Sequence, residues 1–311
     1  MVISLYQPYS FCQLGQRSNQ EDCRLPDTDS ITEEQFFFAV CDGVGGSEYG
    51  EVASKSVCEG LHEALEDTDW SKPFSIDDFQ GVLTAAYNKL DEAADETGNR
   101  DMASTLAFVC FHGAGCLLAH IGDSRVYQFR PGMGIVYRSS DHSQINNLIH
   151  AGVISPDKLE TNPERSVISR YMEPSSDQTT RCMATVLQTT DIQADDYFFL
   201  CSDGVLECVD DDMLYHIICM QGNDEEKCRK IAKLSQRSKD NNTAYLLHVA
   251  GVDAEEQTKC QGEGAIAEGS YTEHQTMVCS CRRPLTVDVE ADEPETSLTD
   301  DILGFIKKIF H

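Results

Sequence analysis

The chain has 311 residues, of which 41% are hydrophobic and 25% charged, with 9 prolines and 1 tryptophan. This length and composition exclude a wholly disordered chain and allow a large buried core. Acidic residues outnumber basic ones by 53 to 24, which gives a formal net charge of −29. Because such a field repels phosphate backbones and anionic lipid, we expect neither nucleic acid nor a membrane as a partner. The acidity is also compatible with carboxylates that divalent cations neutralise.

The 14 cysteines do not indicate a disulfide scaffold, because they are spread through apolar runs of a long chain. Reduced thiols buried in the core are the simpler interpretation. Residues 1–20 lack a basic stretch followed by an apolar one, and no run approaches the roughly 18 apolar residues of a membrane span. We therefore expect a soluble, cytoplasmic protein.

The first half of the chain contains short apolar runs and two long helical patterns. A run rich in β-branched and aromatic residues predicts a strand at 36–41, and apolar spacings of three and four predict helices at 49–66 and 76–96. Three more strands follow through short turns, at 104–111, 116–121 and 125–129. This spacing predicts an antiparallel meander and argues against a doubly wound parallel sheet.

The second half continues with a strand at 196–201, a helical region at 211–235 with a break near Gly222, and a strand at 244–249. Together the elements predict the α+β class, with antiparallel sheets covered by helices. Residues 251–297 have few apolar runs and an acidic stretch, which predicts a linker or tail. An amphipathic pattern at 298–311, acidic first and basic last, predicts a short C-terminal helix.

Acidic residues beside predicted strands indicate a metal site. Asp42 and Asp203 each stand at the end of a predicted strand and precede a glycine. A turn aspartate accounts for each alone, whereas a shared divalent-metal site accounts for both and for others next to strands or turns: Glu21, Asp22, Asp123 and Asp240. Oxygen ligands without histidine or cysteine favour Mg²⁺ or Mn²⁺ over Zn²⁺. Segment 42–46 is glycine-rich but lacks the spacing of nucleotide-binding loops.

Eight motifs follow one another along the chain: RSNQED at 17–22, VCDGVGG at 40–46 with GEVAS at 50–54, MAST at 102–105, IGDSRVY at 121–127, DHS at 141–143, AG at 151–152 with NPER at 162–165, LCSDGV at 200–205, and DNNTA at 240–244. Their order resembles the metal-dependent serine/threonine protein phosphatases of the PPM group, also called type 2C, and in particular its bacterial branch. The resemblance implies a monomeric catalytic domain over 1–250. It also implies a four-layer α/β/β/α sandwich, two antiparallel β-sheets flanked by helices, with a metal cluster at one edge.

The family's pattern also implies a set of metal ligands. Two Mn²⁺ or Mg²⁺ ions would be held by Glu21, the Gly43 carbonyl, Asp203 and Asp240, with Asp42 bridging them. Ions roughly 3.5–4 Å apart would activate a bridging hydroxide for direct attack on phosphorus. Asp123 matches a residue that helps to bind a third, weaker ion in bacterial members; the alternative is a structural turn aspartate.

Other residues take roles from the same resemblance. Arg17 would bind phosphate oxygens through its two-pronged guanidinium, with a surface ion pair as the alternative. Asp22 would orient metal-bound water rather than coordinate, although its place in the motif suits either role. Val44 stands where eukaryotic members carry a histidine general acid, and His142 is the nearest motif histidine, for which we favour a structural role. Segment 148–172 resembles the mobile flap of bacterial members.

The resemblance therefore implies an enzyme that hydrolyses phosphoserine and phosphothreonine in proteins. Its partners would be phosphorylated proteins, including a cognate serine/threonine kinase and its substrates. The alternative is a catalytically inactive phosphatase-like sensor or binding module, which normally lacks a metal ligand. Because every ligand of the pattern is present, the sequence favours the active enzyme.

Overall fold

The structure is a computed structural model that describes residues 1–27, 35–44, 49–155, 167–175 and 177–253. The predicted C-terminal helix at 298–311 lies outside the described residues. So does the predicted tail at 251–297, except for residues 251–253, which belong to the last strand. No helix in the described ranges is both long and apolar enough to cross a membrane.

Eleven strands and six α-helices make up the described part of the chain. In chain order the strands are β1 (Val2–Leu5), β2 (Tyr9–Gln13), β3 (Asp22–Leu25), β4 (Phe37–Asp42), β5 (Leu106–His112), β6 (Gly115–Ile121), β7 (Arg125–Arg130), β8 (Gly134–Arg138), β9 (Thr185–Thr189), β10 (Tyr197–Cys201) and β11 (Asn242–Asp253). The helices are α1 (Gly50–Leu65), α2 (Ile76–Thr97), α3 (Gln144–His150), α4 (Asp203–Leu206), α5 (Asp211–Cys219) and α6 (Asp224–Ser235).

The strands form two antiparallel sheets. One sheet has the order β3-β4-β5-β6-β9. The other has the order β1-β11-β10-β7-β8, and β2 also pairs with β11. The long β11 carries both short N-terminal strands on one edge, β2 at 242–246 and β1 at 249–253. The N-terminal and C-terminal ends of the described fold are therefore held in one sheet.

Side chains alternate between the two faces of each strand, and this alternation produces the layers of the fold. In β4, Phe38 and Val40 face a core shared with Phe198 and Leu200 of the other sheet. The intervening Ala39 and Cys41, and their counterparts on neighbouring strands, pack against α1 and α2. The opposite face of the other sheet packs against α5 and α6. Because a strand sends successive side chains to opposite faces, the result is four layers, which confirms the predicted α/β/β/α sandwich.

The predicted meander is wrong at its third strand. β5 and β6 pair as predicted, but β6 continues to β9, whereas β7 pairs with β10 and β8 in the other sheet. The chain changes sheet at the corner 122–124, where Gly122 has a φ of 96° and a Cβ would lie 2.7 Å from Thr105 Cγ2. The short turn between β6 and β7 therefore joins two strands of different sheets. The length of a turn alone does not distinguish such a connection from a hairpin within one sheet.

Candidate active site

The paired strands β3 and β4 bring two aspartates side by side. Asp22 opens β3, Asp42 closes β4, and the register places them opposite each other. Thr105 fixes the end of β4, because its N–H donates to the Asp42 carbonyl (2.8 Å) and its hydroxyl accepts the Asp42 N–H (3.1 Å). Asp22 is buried, and Asp42 is partly exposed at the edge of the sheet.

The other sheet supplies two more aspartates at the same edge. Asp203 begins α4 just after β10, and Asp240 lies just before β11, the neighbouring strand. The two turns touch, since a Cβ at Gly204 would lie 2.0 Å from the Asn241 carbonyl oxygen. Glycine is therefore required at position 204 for this approach. Asp123 comes from the corner between β6 and β7, where the chain passes from one sheet to the other.

These five residues form one electrostatic group, the aspartate cluster: Asp22, Asp42, Asp123, Asp203 and Asp240. Desolvation raises the pKa of Asp42, and the other four carboxylates raise it further. Burial raises the pKa of Asp22 to about 7, of Asp203 to about 6 and of Asp123 to about 8. Like charges crowded at one edge are unfavourable without a cation, which would lower these pKa values again.

The donor set fits a hard divalent cation. Within the described residues, Asp22 Oδ1 is buried and has no hydrogen-bond partner. Every side chain of the cluster offers oxygen, the ligand that Mg²⁺ and Mn²⁺ prefer. However, among the residues that the structure describes, no three carboxylate, imidazole or thiol groups are already positioned to coordinate one metal ion together. Asp240, for example, accepts a hydrogen bond from Arg17 Nη2 at 2.6 Å.

Glu21 and Gly43 lie beside the cluster. The Gly43 N–H donates to the Glu21 carbonyl at 3.0 Å, and the Glu21 N–H donates to Asn241 Oδ1 at 2.8 Å. Burial raises the pKa of Glu21, whereas the nearby Arg17 lowers it. A Cβ on Gly43 would lie 2.5 Å from the backbone of Gly50, so the start of α1 is pressed against the end of β4. The carboxyl of Glu21 reaches this same junction.

Arg17 lies at the rim of the aspartate cluster. Its side chain is 44% exposed, and the hydrogen bond to Asp240 raises the pKa of the guanidinium. A guanidinium has five N–H donors. One edge of the guanidinium contacts Asp240, which supports the alternative of an ion pair. Much of the rest of the guanidinium is exposed to solvent, which supports the predicted contact with phosphate.

His142 is held in its neutral form. Its Nδ1 accepts the Gly122 N–H at 3.1 Å, so the ring proton is on Nε2, which lies 2.9 Å from the Thr185 hydroxyl. Its ring stacks on His120 with 4.4 Å between centroids. Burial lowers the pKa of His142 to about 3, with His120 and Arg170 adding to the effect. This geometry supports the structural role over that of general acid.

Several supporting residues carry no predicted role, although they lie inside or beside the motifs. Ser202 donates to Asp22 Oδ2 at 2.8 Å and accepts the Thr243 N–H at 3.0 Å. Arg125 donates hydrogen bonds to the Asp141 carboxylate from Nε (2.6 Å) and Nη2 (2.7 Å). The negative charge of Asp141 in turn raises the pKa of Asp123 and Asp203. The sequence showed only that these three residues lie within the motifs SDG, GDSR and DHS. A short sequence motif does not reveal which side chains contact each other in the fold.

Residues 16–236 match the family model described as "Protein phosphatase 2C". The chain belongs to the protein phosphatase 2C family. Its members are metal-dependent serine/threonine protein phosphatases, so the predicted family and enzyme class are confirmed. Protein phosphatase PhpP of Streptococcus pneumoniae is 26% identical over 219 residues, which cover 70% of this chain and 87% of PhpP. Serine/threonine protein phosphatase PstP of Mycobacterium tuberculosis is 29% identical over 244 residues, 76% of this chain and 45% of PstP.

Solved structures of this family share the fold. The crystal structure of Mycobacterium tuberculosis PstP superposes with a TM-score of 0.68 at 24% identity, covering 80% of this chain and all of that one. A structure of the PstP catalytic domain in complex with two manganese ions gives a TM-score of 0.62 with the same identity and coverage. The phosphatase 2C fold therefore extends over the described sandwich.

Proposed function

We propose that the aspartate cluster holds two divalent cations, Mn²⁺ or Mg²⁺, and that the chain uses them to hydrolyse phosphoserine and phosphothreonine in proteins. The observation that carries the proposal is the convergence of five aspartates from both sheets at one edge, where the other four raise the pKa of Asp42. The manganese ions in the PstP structure support the choice of metal. A third, weaker ion beside Asp123 belongs to the same proposal.

The ligands would come from both sheets. Asp42 lies at the centre of the cluster, next to Asp22 on β3 and within electrostatic reach of Asp203 and Asp240. Asp42 is therefore the residue suited to bridge two ions. Glu21 and the Gly43 carbonyl would complete one site, and Asp203 and Asp240 the other. When bound, the ions would supply Lewis acidity that activates water and neutralises the phosphate.

The remaining roles fall to side chains around the ions. Asp22 is buried, with one oxygen hydrogen-bonded to Ser202 and the other without a hydrogen-bond partner, which suits a residue that orients water. Arg17 would turn part of its exposed guanidinium from Asp240 to the phosphate oxygens of the substrate. His142 would take no part in proton transfer, because Nδ1 accepts the Gly122 N–H and burial lowers the pKa of the ring to about 3, so no imidazolium forms near neutral pH to donate a proton.

Phosphoproteins are the proposed substrates, and a serine/threonine kinase with its own targets is the proposed signalling partner. Support comes from the named activity of the relatives and from the open position of Arg17. The proposed flap, 148–172, is described only at its two ends, where Gln144 N–H donates to the Val167 carbonyl and Ser169 N–H to the His142 carbonyl. These bonds fasten the base of the flap beside the cluster.

The test compares Asp203→Asn with Asp212→Asn, an exposed aspartate on α5 that serves as the matched control. With Mn²⁺ and a phosphothreonine peptide, we expect D203N to lose at least about 100-fold in kcat/KM and D212N to match the parent chain. In EDTA, D203N should be more stable than the parent chain at neutral pH, because it removes one of several crowded like charges. Calorimetric titration should show weaker Mn²⁺ binding in D203N alone.

Two results would contradict the proposal. Metal-independent turnover by the parent chain would remove the cations from the reaction. A folded parent chain that binds Mn²⁺ but hydrolyses no phosphopeptide with either metal would favour the phosphatase-like binding module.

A further inference from the structure

Two segments beside the aspartate cluster are basic or neutral in an otherwise acidic chain. Segment 229–239 contains five basic residues and no acidic one, although 53 of the 311 residues in the whole chain are acidic. Segment 14–20, which carries Arg17, contains no acidic residue either. Because a chain with a net charge of −29 repels anions in general, cations gathered beside the site that receives phosphate mark a local reversal of the field.

The helix α6 accounts for only part of this basic character. Three of the five basic residues of 229–239 lie in its last two turns, where cations interact favourably with the helix dipole. Arg237 and Lys239 follow the helix, which ends at Ser235. Both side chains are exposed, and among the residues that the structure describes neither forms an ion pair. The helix dipole therefore does not account for these two cations.

Hydrogen bonds hold the loop that carries Arg237 and Lys239 against the loop that carries Arg17. Gln16 donates from its backbone N–H to the Ser238 carbonyl (3.1 Å) and from Nε2 to the Arg237 carbonyl (2.9 Å). The backbones of the two loops are thus fixed to each other. We call the three cations that they carry the basic rim: Arg17, Arg237 and Lys239.

The basic rim lies close to the aspartate cluster. Lys239 directly precedes Asp240, and Arg17 donates to Asp240 at 2.6 Å. Because consecutive Cα atoms are about 3.8 Å apart, the Cα of Arg237 is at most roughly 11 Å from that of Asp240. An extended peptide advances about 3.3 Å per residue, so this distance corresponds to about three residues of a bound peptide. A side chain that far from a phosphate at the cluster can therefore reach the rim.

Two carboxylates lie beside the basic rim, and both have other partners. Glu207 Oε2 accepts the Ser238 hydroxyl and the Lys239 N–H, both at 2.8 Å, which anchors the loop. Asp240 is a proposed ligand of the cations. The charged ends of Arg237 and Lys239 are therefore available to a group from outside the chain.

We propose that Arg237 and Lys239 bind a carboxylate side chain of the substrate, two to four residues from the phosphoserine or phosphothreonine that is hydrolysed. The inference rests on the proposed function, in which Arg17 binds the phosphate itself. It names the substrate class as phosphorylated segments rich in aspartate and glutamate. The charges of the rim are complementary to such a segment, whereas the rest of this acidic chain repels it.

The test compares two phosphothreonine peptides of equal length. One has glutamate at the second and third positions on both sides of the phosphothreonine, and the other has glutamine there. With Mn²⁺ at low ionic strength, we expect the parent chain to show a kcat/KM about three- to tenfold higher for the glutamate peptide, through a lower KM. An exposed ion pair contributes a factor of up to about five, so two pairs suffice. Salt of about 0.5 M should remove the preference by screening.

A pair of variants with the same change in net charge locates the preference. Arg237→Gln combined with Lys239→Gln removes two positive charges from the rim. Lys72→Glu changes the net charge equally at an exposed residue whose carbonyl accepts the Gly113 N–H of the β5–β6 hairpin, at the far end of β5 from the cluster. We expect R237Q/K239Q to lose the preference and K72E to keep it. Expressing the result as the ratio of the two peptides cancels changes in overall activity.

Hydrolysis of p-nitrophenyl phosphate, which has no flanking residues, measures the chemistry separately. Equal kcat/KM for the two peptides in a parent chain that hydrolyses both would overturn this inference and leave the proposed function intact. So would a preference that persists in R237Q/K239Q, or one that K72E loses to the same extent. A folded parent chain that hydrolyses neither peptide nor p-nitrophenyl phosphate with Mn²⁺ or Mg²⁺ would overturn the proposed function, and this inference with it.

Discussion

A single buried hydroxyl ties the two sheets together at the aspartate cluster. Ser202 follows β10, donates to Asp22 Oδ2 on β3 and accepts the Thr243 N–H on β11. Its side chain has no exposed surface. Removing the hydroxyl would leave a carboxylate oxygen and an amide without partners, both of which are costly when buried.

We predict that Ser202→Ala weakens Mn²⁺ activation about tenfold, because Asp22 loses the contact that orients it. The measurement is phosphopeptide hydrolysis as a function of Mn²⁺ concentration. Ser235→Ala is the matched control, since Ser235 is equally buried but donates within α6 to the Ile231 carbonyl. Both variants should lose stability to urea. Equal Mn²⁺ dependence in the two would contradict a role for Ser202 in the cluster.

Site residues were predictable where a motif carried them. The motifs named Asp42 and Asp203, and the structure places both at one edge with Asp22, Asp123 and Asp240. The assigned ligand roles stay predictions, because no three of the described carboxylate, imidazole or thiol groups are arranged as the shell of one ion. Ser202 could not have been singled out, since its function depends on contact with a strand 180 residues earlier in the chain. Such contacts follow from the packing of two sheets and leave no local pattern.

At the scale of elements, close approach of α1 and α2 sets the helical layer over the five-stranded sheet. A Cβ on Gly60 of α1 would lie 2.6 Å from Ala86 Cα of α2 and 3.0 Å from the Ala85 carbonyl oxygen. On the same pair of helices, a Cβ on Gly81 would meet nothing within 4 Å. One glycine is thus required by packing, and the other only weakens its helix.

We predict opposite effects of alanine at these two positions. Gly60→Ala should lower the free energy of unfolding by about 1–3 kcal/mol, because the backbone of α2 must move away. Gly81→Ala should raise it by roughly 0.5–1 kcal/mol, because alanine favours the helix. Urea denaturation of both variants at neutral pH is the measurement. Destabilisation by G81A, or none by G60A, would contradict this account of the helix contact.

Elements were predictable in proportion to their length and periodicity. The patterns at 49–66 and 76–96 became α1 and α2 almost to the residue, since burial of one face over four to six turns leaves a strong signal. Five strands, β1, β2, β3, β8 and β9, were missed, because each has only four or five residues and, except in β3, at most half of them are buried. The sheet change at Gly122 was missed because pairing partners are not local.

At the scale of the whole molecule, the acidic residues and the neutral histidines have opposite effects on the free energy of unfolding as the pH falls. A net charge of −29 means that protonation of carboxylates relieves repulsion in the folded state. His142, by contrast, has its folded-state pKa lowered to about 3 by burial and by His120, below the value of about 6.5 in an unfolded chain. Its stabilising effect is thus complete above about pH 6.5 and is lost as the pH falls toward 3.

The contribution of His142 can be isolated by comparison with His142→Asn, in which the amide oxygen replaces Nδ1 as acceptor for Gly122 but cannot protonate. Between pH 7.5 and 5.5 the unfolded parent chain takes up a proton at this position and the folded chain does not. We therefore predict that the stability of the parent chain relative to H142N falls by about 1 kcal/mol over this range.

Urea denaturation of both chains at several pH values measures this difference. The effects of carboxylate protonation are common to both chains and cancel when the two are compared. A difference that does not change with pH would mean that folded His142 protonates as easily as a free histidine, which would restore it as a candidate general acid.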